Sequence, residues 1–534
     1  MQGKGKTDET QVLIAGGGMV GLSAAAFLAA HGVRSIAIER LKDSSPLPRA
    51  AFFHQRTLEM FRLLGIEDRV RERSAKDFVP EGAIIAMDSV SGRKLADIIG
   101  NLNDGVEPLS PCRRLFLNQP SLEPILRERA REGGAEILQG TEITDVQQDH
   151  SGVRVTVRDT DGANVRELRA AYLIAADGGH SRIRESLGIG YEGRGAFSNS
   201  LTIYFTADLS PWIGGNAWSL IYVNNPVLGG FFRLNRSAQA GFLAINIVGD
   251  PKVDPHAATN VANDVSQARL IELVRGGVGR PDLDVRIDGY TRWRATAQVA
   301  ERLQAGRIFI AGDAAHLMPP NGGFGGNTGI HDAHNLAWKL ACVLKGHAPP
   351  ALLESYASER KPVAHFTVEQ AFSRYVARTA PWLHDSQHPE ALVHDLNIEL
   401  GYLYGSSLGT HADPRTTCGA VGSRAPHLWL SRGNERVSTI DLTGNYLLLA
   451  GTEGAPWVQA ARNVANQLGG LQLDAYRIGA DLQDGSSAFH EAYGITPSGA
   501  SLVRPDGFVV WRATASMPQP EAMLREALNR SLGR

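Results

Sequence analysis

Residues 12–39 read VLIAGGGMVGLSAAAFLAAHGVRSIAIE. Val12 to Ala15 are apolar without interruption, the pattern of a short strand buried on both faces. Gly16-Gly17-Gly18-Met19-Val20-Gly21 comes next, then a run rich in small residues, Leu22 to His31, which Gly32 closes as a helix. Ser35 to Ile38 make a second strand, and Glu39 ends it 18 residues past the last glycine of the motif. G-x-G-x-x-G alone is a weak signal. Set between a strand and a helix, with an acid at the end of the next strand, it is the fingerprint of a dinucleotide site. Gly16 permits the tight turn, Gly18 lets a pyrophosphate approach the helix N-terminus, and Gly21 lets helix and strand pack closely. Glu39 is placed to accept hydrogen bonds from a ribose. The bland alternative is a tight βα turn with no ligand. The motif does not choose between FAD and NAD.

Two further stretches repeat the theme of an acid at a strand end. Tyr172 to Ala175 read as a buried strand, and Asp177-Gly178-Gly179-His180-Ser181 follows, with a helix N-terminus at Ser181. Ile308 to Ala311 are another buried strand, with Asp313 at its end beside Gly312. A breaker-rich loop, 319–326 (PPNGGFGG), then runs into a helix from Asn327, on which Ile330, Ala333, Leu336, Ala337 and Leu340 recur at helical spacing. A strand-end carboxylate, glycines that admit a flat ligand and a helix N-terminus with unpaired N–H groups suit a hydroxylated tail and a planar head that becomes anionic. Reduced flavin is such a ligand.

Residues 200–250, interleaved with Tyr204, Phe205, Trp218, Tyr222, Phe231 and Phe232, join 284–294 in a mostly antiparallel sheet. Such a face suits a flat apolar substrate, although aromatic sheet faces are more often plain core. Beyond Gly401 the pattern becomes βαβ then ββα, with strands at 437–442, 446–450 and 471–478 and helices at 457–468 and 521–532. That is a separate small α/β unit.

The chain has 534 residues, 43% hydrophobic and 21% charged, as expected for a globular protein of several domains. A net charge of −2 offers no basic surplus for nucleic acid. Cys112, Cys342 and Cys418 are far apart, without CxxC or zinc spacing, which fits unpaired thiols in a reducing compartment. The polar first ten residues carry no secretory signal, and no apolar run spans a bilayer, so a cytoplasmic location is expected. His331 and His334, three apart on a helix, suggest no metal site, because that helix faces the nucleotide and the core.

Three motifs stand in fixed order: GGGMVG (16–21), DGGHSRIR (177–184) and GDAAHLMPP (312–320). With them the chain resembles the group A FAD-dependent aromatic hydroxylases related to para-hydroxybenzoate hydroxylase. SRAPHLWL (423–430), VSTIDLTG (437–444) and SLVRPDGFVVWR (501–512) are similar to the aromatic polyketide hydroxylases of that group. The resemblance implies an α/β fold with three parts. A Rossmann-like FAD-binding domain takes 1–75, 104–180 and 295–395. A substrate-binding, mostly antiparallel sheet domain takes 76–103 and 181–294. A thioredoxin-like C-terminal domain without CxxC takes 400–534. It implies FAD contacts from Gly16, Gly18, Met19, Val20, Gly21, Glu39, Arg40, Arg49, Gln119, Asp177, Gly312, Asp313, Pro320, Gly326 and Asn327. It also implies NADPH or NADH as transient co-substrate, and O2 added at flavin C4a to give a hydroperoxide that hydroxylates a polycyclic phenol or polyketide. The substrate-facing candidates are Tyr222, Arg294 and Arg378, with Arg292 and Arg374 behind them. A monomer or homodimer is expected. A flavoprotein that only shields a reactive intermediate is the alternative. A flavin-dependent halogenase ranks lower, because WIGGNAW (212–218) does not match the WxWxIP signature.

Overall fold

The computed structural model describes residues 8–44, 52–249 and 261–534. Its first sheet runs in the order Gln304–Ala305, Ile308–Ile310, Tyr172–Ala175, Val12–Ala15, Ser35–Glu39, Glu136–Gln139. All neighbours are parallel except the first pair. The apolar runs are continuous because both faces are covered. Val12, Ile14 and Ile174 pack under the helices Met19–Ala30, Gln119–Glu132 and Phe324–Leu344. Leu13, Ala15, Leu173 and Ala175 pack against Val153, Val155 and Leu168 of a four-stranded sheet on the other side. The register pairs Ala15 with Ala175 and Ala175 with Ile310. Three strands therefore end level, and Gly16, Asp177 and Gly312-Asp313 emerge along one edge.

An eight-stranded sheet stands beyond that edge. Its only parallel neighbours are Trp218–Asn224 and Ala83–Met87. Alternation sorts its side chains. Leu201, Ile203, Phe205, Ile221 and Phe232 pack against the helix Gln267–Val278. Tyr204, Tyr222, Phe231 and Phe242 form the opposite face with Phe78 and Phe116.

The C-terminal sheet runs Leu473–Arg477, Tyr446–Ala450, Ala500–Val503, Val509–Ala513, with one parallel pair. The helices Ala455–Gln467 and Pro520–Ser531 share its core. The strand expected at 437–442 is corrected. The strand ends at Ser438, and Thr439–Leu442 is a 3-10 turn closed by a capping box between Ser438 and Asp441. Ion pairs clamp this unit to the helix Gln55–Leu63: Arg62 Nε to Asp441 Oδ1 at 2.5 Å and Arg424 Nε to Glu59 Oε2 at 3.0 Å. Among the described residues no helix is long and apolar enough to cross a membrane.

Candidate functional site

The glycine turn shows which glycines serve the chain and which leave room for a ligand. Gly16 has φ +102°, and a Cβ there would lie 2.3 Å from the Ala176 carbonyl oxygen. A Cβ on Gly21 would lie 1.9 Å from the Gly16 carbonyl oxygen. Both are glycine because backbone occupies the space. Gly18 differs. Its φ is −75°, which any residue can adopt, and a Cβ there would come no closer than 3.7 Å to Glu123 Oε1. The open space over Gly18 is the cleft itself.

That cleft measures about 520 Å³ and is lined by Gly16 to Gly18, Glu39, Arg40, Gln119, Glu123 and Asp177. Glu39 Oε2 accepts from Gly17 N at 2.7 Å and Oε1 from Leu41 N at 2.8 Å. These bonds fix the carboxylate and leave each oxygen a further lone pair. Asp177 Oδ2 accepts from Ile183 N at 3.4 Å, while its buried Oδ1 has no partner. Burial raises the Asp177 carboxyl above its ordinary range against several smaller hydrogen-bond effects. A carboxylate that lines such a cleft with one oxygen unpartnered fits a ligand hydroxyl. Gln119 donates to Glu123 Oε1 at 2.7 Å, and burial raises the Glu123 carboxyl. Arg49 lies outside the described residues.

Gly18, Gln119, Ala176 and Gly178 also line a second cavity, of about 400 Å³. Met19, Val20, Asp313, Pro320, Gly325 and Gly326 line it as well. Gly312 packs behind, with φ +64° and room for a Cβ only 2.9 Å from Val20 Cγ2. Asp332 holds this turn. Its Oδ2 accepts from Gly312 N at 3.2 Å and meets His316 Nε2 at 2.8 Å, and its Oδ1 accepts from Arg360 Nε at 2.7 Å. Burial alone would raise the Asp332 carboxyl, but Arg360 and His316 outweigh it and hold it low.

The helix reading from Asn327 is corrected: the helix runs Phe324–Leu344, with Gly323 at φ +69° as its cap. The unpaired N–H groups of its first turn thus belong to Phe324 through Asn327. The Asn327 side chain is engaged by the chain itself and does not line the second cavity. Its Oδ1 accepts from His54 N at 3.0 Å and Thr57 Oγ1 at 2.6 Å, and its Nδ2 donates to the carbonyls of Phe52 and Gly323 at 2.8 and 2.7 Å. It ties the helix start to the Phe52–Phe53 strand.

Tyr222 and Arg378 line the second cavity, and the Tyr222 hydroxyl accepts from Asn321 Nδ2 at 3.4 Å. Arg294 does not line it, which corrects the expectation of a substrate-facing side chain there. Ala295 and Ala297 take the buried positions of that strand, so Arg292 and Arg294 point to solvent. Arg374 is spent on Asp395, with Nη2 to Oδ1 at 2.5 Å. His331 meets Thr57 Oγ1 at 3.0 Å and Tyr402 OH at 3.3 Å, and burial lowers its pKa. It is a satisfied core histidine.

One residue of this cavity escaped the sequence reading. Arg233 is 4% exposed and lines the cavity beside Phe116, Tyr222, Phe231 and Phe242. Its guanidinium carbon lies 4.4 Å from the Phe78 ring centroid and 5.5 Å from those of Phe116 and Phe242. The available signal was an arginine in an alternating aromatic strand, Phe231-Phe232-Arg233.

A polar, glycine-edged cleft continuous with an aromatic cavity, at the carboxyl ends of parallel strands, defines a dinucleotide-binding oxidoreductase for flat substrates. Comparison with known proteins gives the family. The family described as FAD binding domain matches residues 9–371, and the one described as aromatic-ring hydroxylase, C-terminal, matches 419–534. The chain belongs to the FAD-dependent aromatic-ring hydroxylases and is a flavoprotein monooxygenase using FAD and NAD(P)H. It is 46% identical to a 4-methyl-5-nitrocatechol 5-monooxygenase of Burkholderia sp over 98% of both chains. It is 38% identical to aklavinone 12-hydroxylase RdmE of Streptomyces purpurascens over 98% of this chain and 99% of that one. The solved ternary complex of aklavinone-11 hydroxylase with FAD and aklavinone superposes with a TM-score of 0.90 at 36% identity, covering 99% of this chain and 100% of that one.

Proposed function

We propose that the protein hydroxylates a compact phenol or catechol held in the aromatic cavity, against the flavin ring. The observation that carries this is the cavity's size. About 400 Å³ spans the space from Gly325-Gly326 to Phe242, and the flavin ring and the substrate must share it. That is near the small end of the ~300–1,000 Å³ usual for ligand pockets. The relative named for a single nitrocatechol ring supports the same reading. The polycyclic polyketide reading has its own support, the close superposition on the aklavinone complex.

In this account the Gly18 turn and the Met19–Ala30 helix N-terminus hold the pyrophosphate, with Glu39 and Arg40 at the adenosine. Asp177 and Asp313 hold hydroxyls of the flavin's tail. Bound FAD supplies the redox chemistry and the activation of O2. The chain's own residues do the rest. The N–H groups at Gly325 and Gly326 and the helix dipole offset negative charge on the reduced ring, worth about 0.3–1 kcal/mol and up to ~2 when partly buried. Phe52, Phe116, Phe231 and Phe242 exclude water and hold the substrate ring in place. The C-terminal unit braces the FAD region through Glu59 and Asp441, a structural role in a cytoplasmic monomer or homodimer.

The test is turnover. Holoenzyme with NADPH is given 4-nitrocatechol, catechol or aklavinone, and products are identified by mass. Hydroxylation of the single rings with little or no aklavinone turnover is expected. Faster, coupled hydroxylation of aklavinone would move the assignment to polycyclic substrates.

A further inference from the structure

We propose that Arg233 is a specificity residue that anchors an anionic ring substituent, a nitro-phenolate or a carboxylate, in the aromatic cavity. The proposal rests on the reading of that cavity as the substrate site, and it deepens that reading by naming the charge of the substrate.

The observation behind it is an arginine left without its usual partner. Eight arginines are buried among the described residues: Arg56, Arg114, Arg184, Arg233, Arg360, Arg374, Arg424 and Arg504. Seven of them make an ion pair with a carboxylate, and Arg233 is the exception. Asp77 acts on Arg233 through its charge but makes its hydrogen bonds elsewhere: its Oδ2 accepts from Arg73 Nε at 3.1 Å and from Ser121 Oγ at 3.0 Å. The one side-chain hydrogen bond of Arg233 runs from Nη2 to Asn118 Oδ1, and its buried Nε has no partner.

Aromatic packing explains part of this. The faces of Phe78, Phe116 and Phe242 stabilise a cation, but they pair with its charge weakly and leave its Nε–H without a partner. Burial pulls the guanidinium pKa down to about 9, and the group is still a cation at neutral pH. A fold keeps a buried cation without a paired carboxylate at a cost, and seven other arginines show that this chain supplies such a pair where the charge is structural. The guanidinium fork matches two oxygens in one plane, the geometry of a carboxylate or a nitro group. A nitrocatechol ionises readily because the nitro group delocalises the phenolate charge, so its oxygens carry the complementary sign. A neutral methylcatechol offers nothing comparable.

The experiment uses FAD-loaded protein and a matched set of ligands: 4-nitrocatechol and 3,4-dihydroxybenzoate as anions, and 4-methylcatechol as the neutral ring. Binding is followed by the change in the visible flavin spectrum, and KM by NADPH-dependent product formation. Wild type is expected to bind the anions more tightly than 4-methylcatechol. Arg233→Met is expected to raise Kd and KM for the anions roughly 10- to 100-fold, the size of a lost charge-assisted hydrogen bond. KM for 4-methylcatechol should rise several-fold less than KM for the anions. Arg233→Lys should retain part of the preference. Equal affinity of wild type for anionic and neutral rings overturns the proposal, and so does an equal loss for both in Arg233→Met. Should Arg233→Met fail to fold, the wild-type ligand comparison and Arg233→Lys decide it in the same terms. If wild type binds no ring of either kind, the cavity itself is misassigned. Binding without discrimination removes only the role of Arg233.

Discussion

A methyl group placed on Gly18 and one placed on Gly21 should do opposite things, although both belong to one motif. At Gly18 the protein has room: the nearest atom to an added Cβ is 3.7 Å away, and φ is −75°. Alanine is a poorer helix cap than glycine by up to about 1 kcal/mol. Reduced freedom of the unfolded chain returns about 0.4–1 kcal/mol. The apoprotein should therefore change by less than about 1 kcal/mol in either direction. With the pyrophosphate held as proposed, the same methyl would occupy its approach to the helix N-terminus. Overpacking there costs about 1–3 kcal/mol, which is roughly 5- to 150-fold in FAD affinity. Gly21→Ala instead sets a Cβ 1.9 Å from the Gly16 carbonyl oxygen, which is backbone and has no side chain to swing aside. Helix and turn must separate, and the apoprotein should lose more than about 3 kcal/mol. The assay removes FAD, measures unfolding of each apoprotein in urea, and titrates FAD back by fluorescence quenching. An apo Gly18→Ala destabilised as much as Gly21→Ala would show that protein atoms fill the space over Gly18, and FAD affinity within about twofold of wild type would show that the pyrophosphate does not approach there.

Other substitutions test the rest of the site. Asp332→Ala leaves Arg360 buried without its carboxylate and should cost about 3–5 kcal/mol; a urea series showing under about 1 kcal/mol contradicts the network. The Asp332 carboxyl is held below its unfolded range, so its stabilisation is complete above pH ~4 and is lost as pH falls through the folded value. Acid sensitivity should therefore flatten in Asp332→Asn. Glu123 sits beside Gly18 with its carboxyl raised by burial, so it stays neutral to higher pH than an ordinary glutamate. FAD affinity should weaken as pH rises through that raised value and the charge meets the pyrophosphate, and Glu123→Gln should remove this limb; an identical pH profile in the variant contradicts it. Arg294→Ala should leave kcat/KM within about twofold, because the side chain faces solvent; a tenfold loss would return it to the substrate site.

What the sequence discloses of this site is what local pattern controls. The strand, glycine turn and helix at 12–30 are legible because an apolar run, a glycine turn and a run of small residues follow one another directly, although the Ala176 carbonyl that demands Gly16 lies far along the chain, and the acids at 177 and 313 mark the ends of apolar runs. The start of the Phe324–Leu344 helix is less legible. Gly325 and Gly326 are poor helix formers, and Asn327, through its bonds to Phe52 and Gly323, holds the first turn from outside the local pattern. Residues 437–442 carried a capping signal, Ser438 followed by Asp441, which the apolar alternation obscured. Arg294 and Arg233 show the limit. Both lie on strands of the same sheet, and alternation alone does not say which face meets the cavity. Arg233 becomes a site residue only where Phe78, Asn118, Phe116 and Phe242 converge on it, and their separation along the chain hides that from any local reading.

As an aromatic-ring hydroxylase the chain should insert one oxygen atom of O2 into an aromatic ring. Turnover of holoenzyme with NADPH and 4-nitrocatechol under isotopically labelled O2, read by product mass, tests it most directly. A ring product carrying one labelled oxygen for each NADPH consumed is expected. NADPH oxidation that yields only hydrogen peroxide, with single and polycyclic phenols alike recovered unchanged, would contradict it.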